Sequence, residues 1–289
     1  MKSKTITSLM PFLFVWLWST GFVGARFGLP YIEPFFMLGL RFAITIPCFI
    51  VLIVILRRRW LRLDQIKVQL VVGALLHGLY LGGVFYAVRL GTPAGIAAII
   101  VGIQPILTAL INRVLFAQSV TLRQTIGLVL GFAGLIAVIA GSAEISGSDL
   151  GMQGLITCLI SLFGISISTI IQKRFAGETP LLSGVLWQYI GAIMLIGTAS
   201  YFTETHVYTP AWQLFAAIGW LVLALSIGAI LLLMYMIRMG EIAKVTSYFY
   251  LVPPVAVIQT WWLFGETLSL TSLIGCAVVV LGVALVVRN

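Results

Sequence analysis

Apolar segments about as long as a bilayer's hydrocarbon core is thick fill most of this chain, and they narrow its possible folds more than any other feature. A helix needs roughly 20 apolar residues to cross that core. Ten such segments can be placed, at 9–25, 34–56, 70–88, 93–116, 122–140, 152–171, 181–202, 212–236, 245–264 and 270–287. Lipid offers backbone amides no partner, so each segment must satisfy its own, as a helix does. The residue balance agrees: 61% of the chain is hydrophobic, 9% is charged and the mean hydropathy is +1.14. A water-soluble domain could not present that surface. The reading is an all-α integral membrane protein of ten transmembrane helices, with the lipid bilayer as its constant partner.

The chain also says one thing twice. Residues 86–116 read YAVRLGTPAGIAAIIVGIQPILTALINRVLF and residues 235–264 read YMIRMGEIAKVTSYFYLVPPVAVIQTWWLF, so Tyr86 aligns with Tyr235, Arg89 with Arg238, Gly91 with Gly240 and Pro105 with Pro254. Each half holds five spans, an odd number, so the second copy must enter the membrane from the opposite side. The expected plan is two inverted five-helix repeats, 1–143 and 144–289, joined through the polar GSAEISGSDLG at 141–151.

Loop charges support the inversion. The cluster Arg57 to Lys67 joins spans two and three, whereas the equivalent connection between spans seven and eight has Glu204 and His206 and no Lys or Arg. With the N-terminus inside, Lys2, Lys4, Arg113, Arg123, Lys173, Arg174, Arg238, Lys244 and Arg288 join that cluster on the cytoplasmic side, and only Arg26 and Arg89 fall outside. That is the positive-inside pattern, so both termini are expected in the cytoplasm and the net charge of +9 calls for no nucleic acid. The first span, led by Lys2 and Lys4, also has the look of a secretory signal. It is kept as a span because the second half opens with an equivalent one that is not a signal.

Several chemistries lack their residues. Cys48, Cys158 and Cys276 lie in apolar segments, where they act as small hydrophobes, and His77 and His206 are far apart, so no metal, cofactor or disulfide framework is expected. No phosphate-binding loop occurs that would support ATP hydrolysis. A membrane-embedded enzyme acting on a lipid carrier would need clustered acids or histidines near one interface, and a scaffold would usually carry a soluble appendage. A carrier for a small solute remains the leading class, with no catalytic residues expected.

The succession of Trp18-Ser19-Thr20-Gly21 in span one, Arg41 in span two, Arg89-x-Gly91 leading to Pro105, and Leu263-Phe264-Gly265-Glu266-Thr267-Leu268 before Ile274-Gly275 resembles the drug/metabolite transporter superfamily, in its EamA branch of ten-span carriers. The resemblance covers essentially the whole chain. It implies a secondary transporter that exports a small organic metabolite by alternating access from the cell's inner membrane. One departure is visible: the first copy reads Phe116-Ala117-Gln118 where the second reads Phe264-Gly265-Glu266, which puts a site built from two glutamates in doubt.

Two similar bundles can rock about a central site, and a Gly/Pro-interrupted span at matching places in both halves is the pointer to it. Pro105 and Pro253-Pro254 fit, and Gln104, Thr108 and Asn112 share a helical face with the first break. Span six has a polar stripe through Thr157, Ser161, Gly164, Ser168 and Gln172. Either stripe lines a cavity or packs against a neighbouring helix. Arg41 either anchors at the interface or turns inward toward Glu33, Glu266 or a substrate carboxylate. His77, with Gly73 and Tyr80 on its face, is a packed histidine or a proton-coupling one. The candidate substrate-binding set is Trp16, Thr20, Arg41, His77, Tyr80, Gln104, Pro105, Thr108, Ser161, Ser168, Trp187, Tyr248, Pro254 and Gln259. An apolar-aromatic pocket of this kind suits a neutral or zwitterionic solute, an amino acid or a similar compound. Gly127, Gly131 and Gly134 form a small-residue face that recurs in span ten, and whether it meets another span or a second protomer leaves monomer and homodimer both open.

Overall fold

The computed structural model of the protein describes residues 2–117, 121–146, 151–175, 179–238 and 251–287. These residues form ten helices and no strand. They are α1 (Lys2–Gly28), α2 (Pro34–Ile55), α3 (Leu63–Arg89), α4 (Ala94–Phe116), α5 (Leu122–Ser146), α6 (Met152–Phe175), α7 (Leu181–Thr203), α8 (212–238), α9 (Val252–Phe264) and α10 (Leu270–Val287). Eight are long and apolar enough to cross a membrane, and α9 and α10 are shorter apolar helices. The protein is a multi-pass membrane protein.

Two boundary shifts from the sequence reading have a visible physical cause. Helix α3 starts at Leu63 rather than 70, because Gln65 accepts the Arg62 amide in a capping turn and the helix runs on past the apolar zone through Asp64 and Lys67. Helix α5 continues to Ser146, into the segment read as a linker. Gly141 lies against Ser269 and Ser272, and the Ser272 hydroxyl donates to the Val138 carbonyl at 3.1 Å, so this turn is packed. Residues 239–250, where span nine was expected to begin, lie outside the described residues, as does Gln118.

Proline shapes the fourth and ninth helices differently. Pro105 has no amide to donate and its ring displaces a carbonyl of the preceding turn. Helix α4 breaks at Ile103 into Ala94–Gly102 and Gln104–Phe116, and across the break Ile103 and Ile106 bond to carbonyls three residues back. Pro253 and Pro254 instead occupy the first turn of α9, where a missing amide costs nothing. The two sites meet: a side chain on Gly102 would run into the Pro253 ring.

Helices α5 and α10 pack closely along much of their length. Gly134 stands against Gly275 and Val279, and Gly282 against Gly127 and Gly131, backbone on backbone. The small-residue face of span five therefore meets α10 of the same chain. A second close crossing joins α3 to α7, where Gly73 abuts the Gln188 backbone and Gly191 abuts the Leu70 carbonyl. Its counterpart by repeat, α2 with α8, is looser.

One end of the bundle carries the basic residues Arg57 to Arg59, Arg113, Lys173 and Arg174. At the other, acidic end, carboxylates tie the loops together. Glu204 accepts the amides of Phe35 and Phe36 at 2.7 and 2.6 Å at the start of α2, and Glu266 accepts those of Ala94 and Gly95, both at 3.3 Å, at the start of α4. Anions at helix N-termini meet orphan amides and the positive end of the dipole. Glu266 also faces Arg26 at 3.6 Å. Glu33 accepts the Thr205 amide at 3.0 Å and its hydroxyl at 3.2 Å, beside an antiparallel bridge between Ile32 and Tyr208. Partial burial would raise the Glu33 pKa, but these bonds, with the His206 and Val207 amides, hold it below its ordinary value of 4.5.

Candidate functional site

Two helices are locally wound more loosely than an α-helix. In α3 the stretch Ala74–Tyr80 is π-helical, and in α8 so is Leu221–Ala229. Such turns widen the backbone, are rare, and recur at functional sites. They occupy corresponding places in the two halves: Ser226 follows His77 by about 149 residues, close to the offset of the duplicated segments. Tyr189 on α7 follows Arg41 on α2 by about 148. The duplication thus brings two pairs of equivalent positions to the centre of the bundle, with different chemistry in each copy.

Arg41 is buried, 5% exposed, and its Nε donates to the Ser226 hydroxyl at 3.1 Å. The Tyr189 hydroxyl lies within hydrogen-bonding reach of both Arg41 and Ser226. The guanidinium sits 6.0 Å from the centre of the Phe42 ring. His77 stacks on Tyr189 with ring centres 4.6 Å apart and planes 21° apart, and Tyr189 packs in turn on Phe42 and Phe49. Gln188, next to Tyr189 on α7, donates its Nε2 to Gln69 Oε1 at 2.6 Å and to Gln172 Oε1 at 3.2 Å. Nε2 of His77 and Nε2 of Gln69 are buried without a hydrogen-bond partner.

These groups border a cavity of about 60 Å³ between α1, α2, α3, α7 and α8. Its walls are mostly apolar and aromatic: Trp18, Gly21 and Phe22 from α1, Leu76, Tyr80, Leu81, Val84 and Phe85 from α3, and Leu225 and Ile230 from α8. Arg41, His77 and Tyr189 supply most of its polarity, and Arg41 is the one charged residue among the lining residues. Neither carboxylate proposed as an internal partner reaches Arg41. Glu33 is held by Thr205, and Glu266 by Arg26 and the start of α4. Among the described residues the ion pairs are Arg26 with Glu266 and Arg62 with Asp64.

Of the candidate set read from the sequence, Arg41, His77 and Tyr80 come together at this cavity, and the others lie elsewhere. Thr20 accepts the Trp220 indole N–H at 2.8 Å, between α1 and α8. Trp16 is exposed, and its carbonyl accepts Gln259 Nε2 at 3.2 Å, joining α1 to α9. Gln104, half-buried beside Pro105, donates to Thr108 and to Thr169 of α6, both at 3.2 Å. Ser161 and Ser168 bond to carbonyls of their own helix, and Ser161 faces Gly83 of α3. Trp187 and Pro254 are half-buried away from the cavity lining, and Tyr248 lies outside the described residues. Ser226, Trp18 and the apolar wall of α3 stand outside the candidate set, whereas Tyr189 is one of the deep aromatic residues that the sequence offers for an apolar-aromatic pocket, and it does line the cavity. Comparing the two copies residue by residue at His77 is the signal that leads to Ser226, and at Arg41 it leads again to Tyr189.

Comparison with known proteins places this architecture. Residues 5–140 and 152–288 each match the EamA-like transporter family, one match per half. The Escherichia coli K12 inner membrane transporter YedA is 30% identical over 273 residues, covering 93% of this chain and 87% of its own. A Salmonella typhimurium protein named "probable amino-acid metabolite efflux pump" is 24% identical over 289 residues, covering 93% and 91%. A solved crystal structure superposes with a TM-score of 0.67 at 19% identity, covering 97% of this chain and 96% of the other, which is a likeness of fold.

Proposed function

This chain belongs to the EamA-like transporter family, and on that premise we propose that it is a secondary exporter which moves a small organic metabolite through the central cavity by alternating access, without catalysing a reaction. The observation that carries this reading is the cavity itself: π-helical segments from both repeats face it, with a cation and an aromatic wall between them. The solute class is a small metabolite with an apolar or aromatic body, amino acids and similar compounds included, in keeping with the name borne by the Salmonella relative.

The basic end lies in the cytoplasm with both termini, following the loop charges, and the repeats 1–143 and 144–289 are the units that move. In this conformation the α3–α7 crossing closes the cytoplasmic end. A cavity of about 60 Å³ is smaller than the roughly 150 Å³ void known to accept benzene. Solute entry therefore requires the wall to part, and the loosely wound segments of α3 and α8 are the part of that wall able to give. The test compares excreted metabolites, amino acids included, between cells that overproduce the protein and cells that lack it. Enrichment of a defined compound outside the producing cells, and its uptake into everted vesicles, is the expected result. Indistinguishable profiles with the protein present in the membrane would refute export.

A further inference from the structure

We propose that Arg41 is the carboxylate-binding residue of the cavity and that the preferred solute is a monoanion with an apolar or aromatic body, favoured over the zwitterion built on the same body. This rests on the reading of the cavity as the solute site. Arg41 is buried, lines the cavity, and has hydroxyls and an aromatic ring for company but, among the described residues, no carboxylate. Neutral hydroxyls compensate a buried cation only in part, and the missing half is a negative charge. The planar guanidinium fork fits a carboxylate in two parallel hydrogen bonds. With Nε committed to Ser226, the guanidinium is oriented before the solute arrives.

The rest of the lining decides between anions and zwitterions. Among the described residues no carboxylate lines the cavity to receive an ammonium group. His77 Nε2 is buried without a hydrogen-bond partner, and a neutral imidazole nitrogen can accept one N–H of an ammonium group without neutralising its charge. A monoanion brings the site to electrical neutrality, a zwitterion leaves one net positive charge in a medium of low dielectric, and an amine adds a second. Trp18, Phe22 and Phe85 offer the apolar body its contacts whichever headgroup it carries.

The experiment measures binding of four probes that share one aromatic body to the purified full-length protein in lipid nanodiscs: 3-phenylpropionate, phenylalanine, 3-phenylpropanol and 3-phenylpropylamine. The acid is expected to bind roughly tenfold or more tighter than phenylalanine or the alcohol, with the amine weakest. Arg41→Gln should bring the acid down to the alcohol while leaving the alcohol unchanged. Arg41→Lys should keep the preference for the acid at reduced affinity. If Arg41→Gln does not fold, Ser226→Ala serves, weakening the acid more than the alcohol by untethering the guanidinium. Equal affinities for acid and alcohol in the wild type would overturn the proposal while leaving the cavity as the solute site, and so would an acid preference that survives Arg41→Gln. Binding of none of the four by protein that still melts cooperatively would overturn the reading of the cavity itself, and this proposal with it.

Discussion

Replacing Gly191 by alanine should open the basic end of the bundle. A methyl group there would occupy the place of the Leu70 carbonyl, just as one on Gly73 would meet the Gln188 backbone. Backbone cannot rotate aside as a side chain can. Ordinary contact begins at 3.4 Å, so α3 and α7 would have to part by about 1 Å or more, an overpacking that costs roughly 1–3 kcal/mol. In alternating access that cost falls on the conformation in which the two helices cross tightly and spares the one in which they separate. The equilibrium should then shift toward the open form by roughly 5- to 150-fold. Ser183 reports this: it is buried at the same end, with its hydroxyl on the Arg59 carbonyl. In a background with Cys48, Cys158 and Cys276 replaced, Ser183→Cys should react with a maleimide faster by that factor when Gly191→Ala is added, with a smaller loss of melting temperature than the full strain implies. A melting temperature lowered by the whole amount with unchanged labelling would refute the reasoning and make the crossing a fixed packing contact.

Two further outcomes follow from hydrogen bonds already described. Gln188→Leu strands the Gln69 oxygen in a buried setting, so folding stability should fall by about 1–3 kcal/mol, read by thermal melting in detergent, and with Gln188→Glu, which also lacks the amide donor, it should fall at least as far; an unchanged melting temperature in both would count against this bond. Glu33 has a lowered pKa, so its contribution is complete above its ordinary value of 4.5 and fades as pH falls through the lower folded value. The melting-temperature gap between wild type and Glu33→Gln should accordingly persist above that pH and close below it, and a gap that instead widens in acid would count against the Thr205 clasp.

The helices were legible from the sequence because lipid enforces them: a long apolar run has few alternatives to a helix. The pairing of the halves was legible from Arg89, Gly91 and Pro105 with their second copies. Arg41, His77 and Tyr80 draw notice as rare polar groups inside apolar runs, and the structure brings the three to one cavity. The location of that cavity was not legible. Pro105 marks a real break in α4 and Pro253 stands in the first turn of α9, and the two sites meet at Gly102 and Pro253, but the cavity lies against α3 and α8. Those helices are distorted by π turns, which insert no proline and leave no compositional mark. They form when packing around the helix favours a wider turn over a lost α-helical bond, a tertiary effect no window of residues records. The extension of α5 was missed for a related reason: Gly141 looks like a linker residue until Ser272 of α10 packs beside it.

The seam of α5 and α10 bears on how such a molecule can move. Where peptide planes touch without an intervening layer of side chains, no soft material is left to shear, and any sliding would collide main chain with main chain. In the proposed alternating-access cycle that seam would serve as the hinge about which the two repeats rock, and the duplicated glycines that pin the copies together there would leave the opposite face of the bundle free to breathe.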